Sequence, residues 1–142
     1  MRPRYATEDD WPEVKALLSA SLLAVDGMRE QVTQYIVSRD NAGLLGCAGI
    51  ERYETTGVLR VLVVVQRARS AGLGELLMAA IVADLRLRGV KSIVLETKSA
   101  SGYFARLGFA PIDISALPQS VRAAHGFRRD LNGIGTLMQS AL

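Results

Sequence analysis

Between positions 66 and 74 the sequence Gln66-Arg67-Ala68-Arg69-Ser70-Ala71-Gly72-Leu73-Gly74 sets two arginines and two glycines just ahead of a strongly amphipathic stretch. Backbone N–H groups at a helix N-terminus lack intrahelical partners and carry partial positive charge, so an anion such as a diphosphate can rest there. Glycines at 72 and 74 let backbone approach a ligand closely, and Arg67 and Arg69 add charge. The same residues also suit a tight strand-to-helix turn that needs glycine only for its dihedral angles, and the spacing leaves both readings open. A Walker phosphate loop would end in Gly-Lys-Ser/Thr, which is absent, and a dinucleotide fingerprint would need a third glycine and an early place in the chain. Arg60 stands out as a lone charge in an apolar run, where it can meet a substrate carboxylate or pair with Glu51 across a hairpin. Cys47, flanked by Gly46 and Ala48, reads as a small core residue, and His125 as a solvated loop residue.

Composition bounds what these residues can serve. The chain has 142 residues, 49% apolar and 22% charged, without biased tracts, which excludes disordered, fibrous and coiled-coil classes. One cysteine excludes an intramolecular disulfide, and one cysteine with one histidine argues against a transition-metal site built on Cys and His, so no metal is expected. The start of the chain lacks a signal-like apolar run and no segment is long enough to span a bilayer, so a cytoplasmic protein without membrane contact is expected. Seventeen Lys and Arg against 14 Asp and Glu give a net charge of +3, which does not call for nucleic acid. Arg60, Arg67, Arg69, Arg86, Arg88, Lys91, Lys98 and Arg106 fall between positions 60 and 106, around the loop. That distribution suits a small polyanion or a solvated basic face.

The elements that must position these residues follow from periodicity. A strand is expected over Arg2 to Ala6, then a helix starting at Thr7 with a Thr7/Asp10 capping box, its apolar face made by Val14, Leu17, Leu18, Leu22 and Val25 and its end at Asp26-Gly27. A short helix around Met28 to Thr33 is followed by a hairpin of Tyr35 to Val37 and Leu44 to Tyr53 about the turn Asp40 to Gly43. After a turn at Glu54 to Gly57, the β-branched run Val58 to Val65 reads as a strand buried on both faces at the middle of the sheet. Leu73, Leu76, Leu77, Ala80, Ile81 and Leu85 predict a helix stopped by Gly89. Strands at 91–96 and at Phe109 to Ile114, a short helix from Ser101 to Leu107, a helical turn from Pro118 to Ala124 and a last strand from Ile134 to Leu142 complete the chain. The helical crossover makes strands 58–65 and 91–96 parallel. One α/β domain over residues 1–142 is expected.

Two motifs at fixed separation carry a resemblance. Arg69-x-x-Gly72-x-Gly74 is similar to the Gln/Arg-x-x-Gly-x-Gly/Ala pyrophosphate loop of the GNAT superfamily of N-acetyltransferases, and Tyr103-Phe104-Ala105-Arg106-Leu107-Gly108-Phe109 resembles that family's Phe-Tyr-x-x-x-Gly-Phe motif. Order and spacing match along the whole chain. Within the superfamily, the segments at 43–53, 58–64, 103–109 and 117–122 look most like the arsenic-resistance-associated and amino-acid N-acetyltransferase branch, although residues 128–142 lack the Cys-Pro segment of the former.

The resemblance implies a three-layer fold whose mixed, mostly antiparallel sheet splays between its two parallel central strands and is flanked by helices. It also implies acetyl-CoA as co-substrate, its pantetheine arm on the backbone of Leu62, Val63 and Val64, and its pyrophosphate on N–H groups of Ser70, Ala71, Gly72, Leu73, Gly74 and Glu75 beside Arg69. Glu96 aligns with the family's base, and Glu51 is the second candidate, reaching the acceptor cleft through a water. The family's proton-donating Tyr aligns with Phe104, which cannot donate but can pack against the cofactor. Tyr103 is adjacent, about 100° around a helix, and Ser99, Ser101 or solvent are other donors. A small primary amine, an amino acid or a compound like one, is the implied acceptor, with Arg60 for its carboxylate. The alternatives are a CoA-binding module without turnover and acetylation of protein N-termini. The family also suggests a homodimer, for which no exposed apolar stripe argues.

Overall fold

The computed structural model describes residues 2–20, 34–69, 71–98, 100–123 and 135–142. Its strands are β1 (Arg4–Tyr5), β2 (Gln34–Asp40), β3 (Gly43–Tyr53), β4 (Thr56–Val64), β5 (Ser92–Thr97), β6 (Ala110–Pro111) and β7 (Thr136–Ala141). Its helices are α1 (Trp11–Ala20), α2 (Leu73–Leu87), α3 (Ser101–Arg106) and α4 (Gln119–Ala123). The seven strands form one mixed sheet in the order β1-β2-β3-β4-β5-β7-β6, with β4 and β5 as its parallel pair. The run expected at the sheet's middle is there. Parallel pairing covers Thr56↔Ser92, Gly57↔Ile93 and Val58↔Val94, and β4 continues beyond it to Val64. The chain divides into two compact units, Met1–Glu51 with Leu59–Asp84 and Arg52–Val58 with Leu85–Leu142.

In the first unit the β2–β3 hairpin closes through Asn41 and Ala42, with the Ala42 N–H donating to Asp40 Oδ1 at 2.9 Å. Its register shifts between Ser38 and Arg39, and there the Leu45 carbonyl accepts from Val65 N–H at 2.8 Å. Val14, Leu18, Tyr35, Val37, Leu44, Cys47 and Val61 form the core, with Trp11, Leu17 and Val63 packed against it. Burial pushes the Cys47 thiol up to about 12, as suits a core residue and not a nucleophile. At the start of the chain the carboxylate of Asp10 is the hub. It accepts from both terminal nitrogens of Arg4 at 2.8 and 3.0 Å, from Arg39 at 3.3 Å and from the Thr7 N–H at 2.8 Å. The Arg4 guanidinium holds its carboxyl well below the usual carboxylate range despite burial. Between Thr7 and the α-helix lies a 3-10 turn, Glu8–Asp10, so α1 proper begins at Trp11 and tolerates Pro12 in its first turn.

In the second unit β7 lies between β5 and β6, antiparallel to both. Val58, Val94, Leu117, Val121 and Leu137 make the core, with Tyr53, Ile112 and Ile114 against it. The C-terminal ends of α2 and α3 use one device. Gly89 (φ +81°) follows α2, Gly89 N–H donates to Arg86 at 3.1 Å and Val90 N–H to Leu85 at 2.9 Å. Gly108 (φ +99°) follows α3, with Gly108 N–H to Ala105 at 3.1 Å and Phe109 N–H to Phe104 at 3.0 Å.

Three expectations need correction. The strand expected over Phe109 to Ile114 shortens to Ala110–Pro111, because Pro111 has no N–H and Asp113 turns the chain into the 3-10 turn Ile114–Ala116 by accepting from Ser115 N–H at 3.3 Å. The turn expected at Glu54 to Gly57 tightens to Glu54 and Thr55, Glu54 taking φ +58°, and Gly57 pairs inside β4. Leu76, placed on the buried stripe of α2, is 42% exposed, as is Leu87 at 88%, while Leu73, Leu77, Ile81 and Leu85 are buried. The apolar stripe of α2 is thus narrower than its sequence, and part of it faces outward. Leu22, Val25, the Asp26-Gly27 stop, the helix at Met28 to Thr33, Ser70, Ser99, His125 and Ile134 lie outside the described residues.

Candidate functional site

The glycine loop is built by the end of β4 and the start of α2. After Val64 the chain makes a 3-10 turn over Gln66–Ala68, and Arg69 follows in extended conformation. Gly72 takes φ +77°, and a Cβ there would meet nothing within 4 Å, so glycine answers a backbone need at this position and not crowding. Its carbonyl accepts the helical N–H of Leu76 at 3.1 Å. The preceding N–H groups in the first turn of α2 have no carbonyl four residues back within the helix. Ala71, Gly72 and Glu75 are exposed, and Leu73 and Gly74 are buried.

The two arginines of the loop differ from each other. Arg67 forms a two-pronged pair with Asp40 at 3.0 and 3.1 Å, which lowers the Asp40 carboxyl to about 2. Its charge is thus matched within the protein, where the sequence suggests a contribution to the loop. Arg69 is exposed and donates from Nε to the Val64 carbonyl at 3.0 Å, a tether that ties the motif's first residue to the end of β4. Leu62, Val63 and Val64 are half-buried on the stretch of β4 beyond the parallel pairing. Gly46 on β3 lets Val63 lie close, since a Cβ at 46 would sit 2.9 Å from the Val63 carbonyl oxygen and 3.3 Å from Leu73 Cδ2.

Glu51 and Arg60 come together. Glu51 is 2% exposed. Arg60 Nε lies 3.6 Å from Glu51 Oε2, so the hairpin ion pair forms, and about a quarter of the Arg60 side chain remains accessible. Sequence reasoning missed a third polar group here, Tyr35. It stands opposite Gly49 in the β2–β3 register, and Glu51 is two residues on from Gly49, on the same face of β3. A tyrosine in an apolar strand carries no sequence signal that its hydroxyl is buried.

In the second unit, Glu96 lies near the end of β5, half-buried, opposite Leu137 of β7. Its side chain crosses Gly135, where a Cβ would fall 2.7 Å from the Glu96 Cδ. Glycine at 135 is therefore what allows the carboxylate its place. Thr97 Oγ1 accepts the Ala100 N–H at 3.0 Å at the entrance to α3. On α3 the Phe104 ring is buried and meets Phe109 edge to face at 5.7 Å, while Tyr103 is half-buried, with its ring 5.2 Å from Phe104 and the Arg106 guanidinium 5.9 Å above it. Tyr103 and Phe104 occupy different sides of the helix, as their adjacency requires. The second motif thus has a folding role of its own: Gly108 and Phe109 stop the helix, and the Phe104–Phe109 contact closes the stop.

Comparison with known proteins adds to this geometry. Residues 31–111 match the family model described as the acetyltransferase (GNAT) domain. An amino-acid acetyltransferase of Salmonella arizonae is 30% identical over 96 residues, covering 66% of this chain and 21% of that protein. The Escherichia coli K12 protein of the same name is 29% identical over the same length. The chain therefore spans about a fifth of the length of these curated relatives. The N-acetylglutamate synthase of Neisseria gonorrhoeae, solved with coenzyme A and N-acetyl-glutamate, superposes with a TM-score of 0.83 at 23% identity, over 99% of this chain and 34% of that one. A Mycobacterium tuberculosis protein solved with CoA gives 0.82 at 19% identity, over 99% and 98%. At these identities the two structures establish likeness of fold.

Proposed function

The chain belongs to the GNAT acetyltransferase family, and from that premise we propose that it acts as one N-acetyltransferase domain, moving acetyl from acetyl-CoA to the primary amine of an amino acid or a compound like one. The observation that supports this reading is the loop: Arg69 tethered to Val64, Gly72 at positive φ and the first turn of α2 are features that would suit a diphosphate. Similarity to the amino-acid acetyltransferases supports the acceptor class.

In the reaction the amine nitrogen attacks the thioester carbonyl, the C–S bond breaks and CoA leaves as thiolate. The amine must be neutral to attack and must then lose a proton. Glu51 is committed to Arg60, so the base we assign is Glu96, half-buried and held in place over Gly135, taking the proton directly or through water. Arg60, partly accessible, takes the acceptor's carboxylate, and Glu51 orients it. Phe104 supplies packing and no proton. The thiolate is a stable enough leaving group to be protonated by Tyr103 or solvent. Phe104 also supports the second reading, a domain that binds CoA without turnover.

The test has two steps. Acetyl-CoA at one hundred times its dissociation constant should stabilise the protein by about 2.7 kcal/mol, and free thiol should then appear with an amino-acid acceptor. Binding without thiol release across an amine panel would establish the non-catalytic reading; no binding would remove both. Glu96→Gln should lower kcat about 100-fold or more with acetyl-CoA affinity unchanged, and equal activity would take Glu96 out of the mechanism.

A further inference from the structure

The hydroxyl of Tyr35 is buried and, among the described residues, has no hydrogen-bond partner. The residue is 8% exposed, its ring packs on Trp11 at 5.7 Å, and it belongs to the core that Val14, Leu18 and Val37 also form. Phenylalanine would make every one of these ring contacts without burying an unsatisfied donor, a destabilising feature that folded proteins avoid. The hydroxyl therefore serves something other than packing. Three observations say what. Gly49, directly opposite on β3, has no side chain to fill the space there. Glu51, diagonal to Tyr35 on the same face, brings with it the Arg60 guanidinium at 3.6 Å. Tyr35 also lines, with Tyr5, Thr7, Trp11 and Gln34, a cavity of about 350 Å³.

We propose that the Tyr35 hydroxyl donates a hydrogen bond to the acceptor's carboxylate alongside Arg60, making Tyr35 a specificity-determining residue for amino acids over simple amines. This rests on the amino-acid reading above. Burial, with smaller contributions from Cys47 and Glu51, raises the phenol to about 12, which keeps it protonated, and so a donor, throughout the neutral range.

The experiment is Tyr35→Phe in the full chain, with steady-state acetylation of an amino acid and of the matching amine that lacks the carboxylate. For the amino acid the KM should rise about tenfold or more, while the KM for acetyl-CoA and the kinetics with the decarboxylated amine stay at the parent level and the melting midpoint holds or rises. A melting midpoint that holds or rises separates loss of a ligand contact from loss of structure. An unchanged amino-acid KM in an active enzyme overturns the role of Tyr35 and leaves the proposed function standing. Wild-type protein that acetylates amines but not amino acids, or nothing at all, brings down the acceptor reading, and Tyr35's role with it.

Discussion

In the unit of Met1–Glu51 and Leu59–Asp84, buried charge is met by charge: Asp10 by Arg4 and Arg39, and Glu51 by Arg60. The unit of Arg52–Val58 and Leu85–Leu142 has no fully buried acid among its described residues, and its buried contacts are aromatic and aliphatic, Phe104 on Phe109 and Val94 among Val58, Val121 and Leu137. Its one candidate acid, Glu96, is only half-buried. A buried charge is stable only with its partner, so the first unit should respond to deletion of single charges and to pH. An apolar core is stable through fit, so the second should respond to volume.

The largest effect we expect tests the second half of that contrast. Phe104→Ala removes a buried ring and its contact with Phe109 at the end of α3, and should destabilise by about 3–5 kcal/mol in urea unfolding. A loss under 1 kcal/mol would mean that the helix stop stands on its hydrogen bonds alone. Next is Asp10→Ala, which takes away the Arg4 and Arg39 pairs and the Thr7 cap together, for a loss of about 2–3 kcal/mol. Because the folded-state pKa of Asp10 is depressed, its contribution is complete above the ordinary carboxylate value of about 4 and fades as pH falls below it. Asp10→Asn should therefore flatten the acid limb of the stability curve, and a parallel curve would remove Asp10 as its cause.

A smaller effect distinguishes fit from charge inside the first unit. Gly46→Ala sets a Cβ 2.9 Å from the Val63 carbonyl, a backbone atom that cannot rotate away. We expect a loss of about 1–2 kcal/mol together with weaker acetyl-CoA binding in titration calorimetry, as β4 is pushed out of place at 62–64. The smallest is Arg67→Ala. Its pair with Asp40 has good geometry but is exposed, so the melting midpoint should not move measurably at physiological salt. A clear drop would show that the first unit depends on surface charge as well.

Much of the fold was legible because local rules act locally. Gly89 and Gly108 end helices through positive φ and hydrogen bonds that span five residues or fewer, and Gly72 opens the loop in the same manner. The β-branched run expected at 58–65 became the central strand as far as Val64, and the spacing of Leu73, Leu77, Ile81 and Leu85 became a helix face. The candidate loop and the second motif were legible for the same reason. Where the reading strayed, the deciding neighbour was remote or the local signals competed. Leu76 looked like its buried neighbours because periodicity gives an angle around a helix and not the width of what packs there. The strand after Phe109 was cut short when Pro111 and the Asp113 turn outweighed an apolar pattern.

What the sequence by itself determined is the order of elements, their stops, the glycine loop and the two motifs that mark the family, all encoded within a few residues of one another. The tertiary structure alone decided the other partners: Arg67 on Asp40, Arg39 on Asp10, Glu96 over Gly135, and the Tyr35 hydroxyl left buried. Hydrogen bonds and ion pairs act over a few ångströms, and only strand pairing and helix packing bring side chains from distant stretches of chain within that reach.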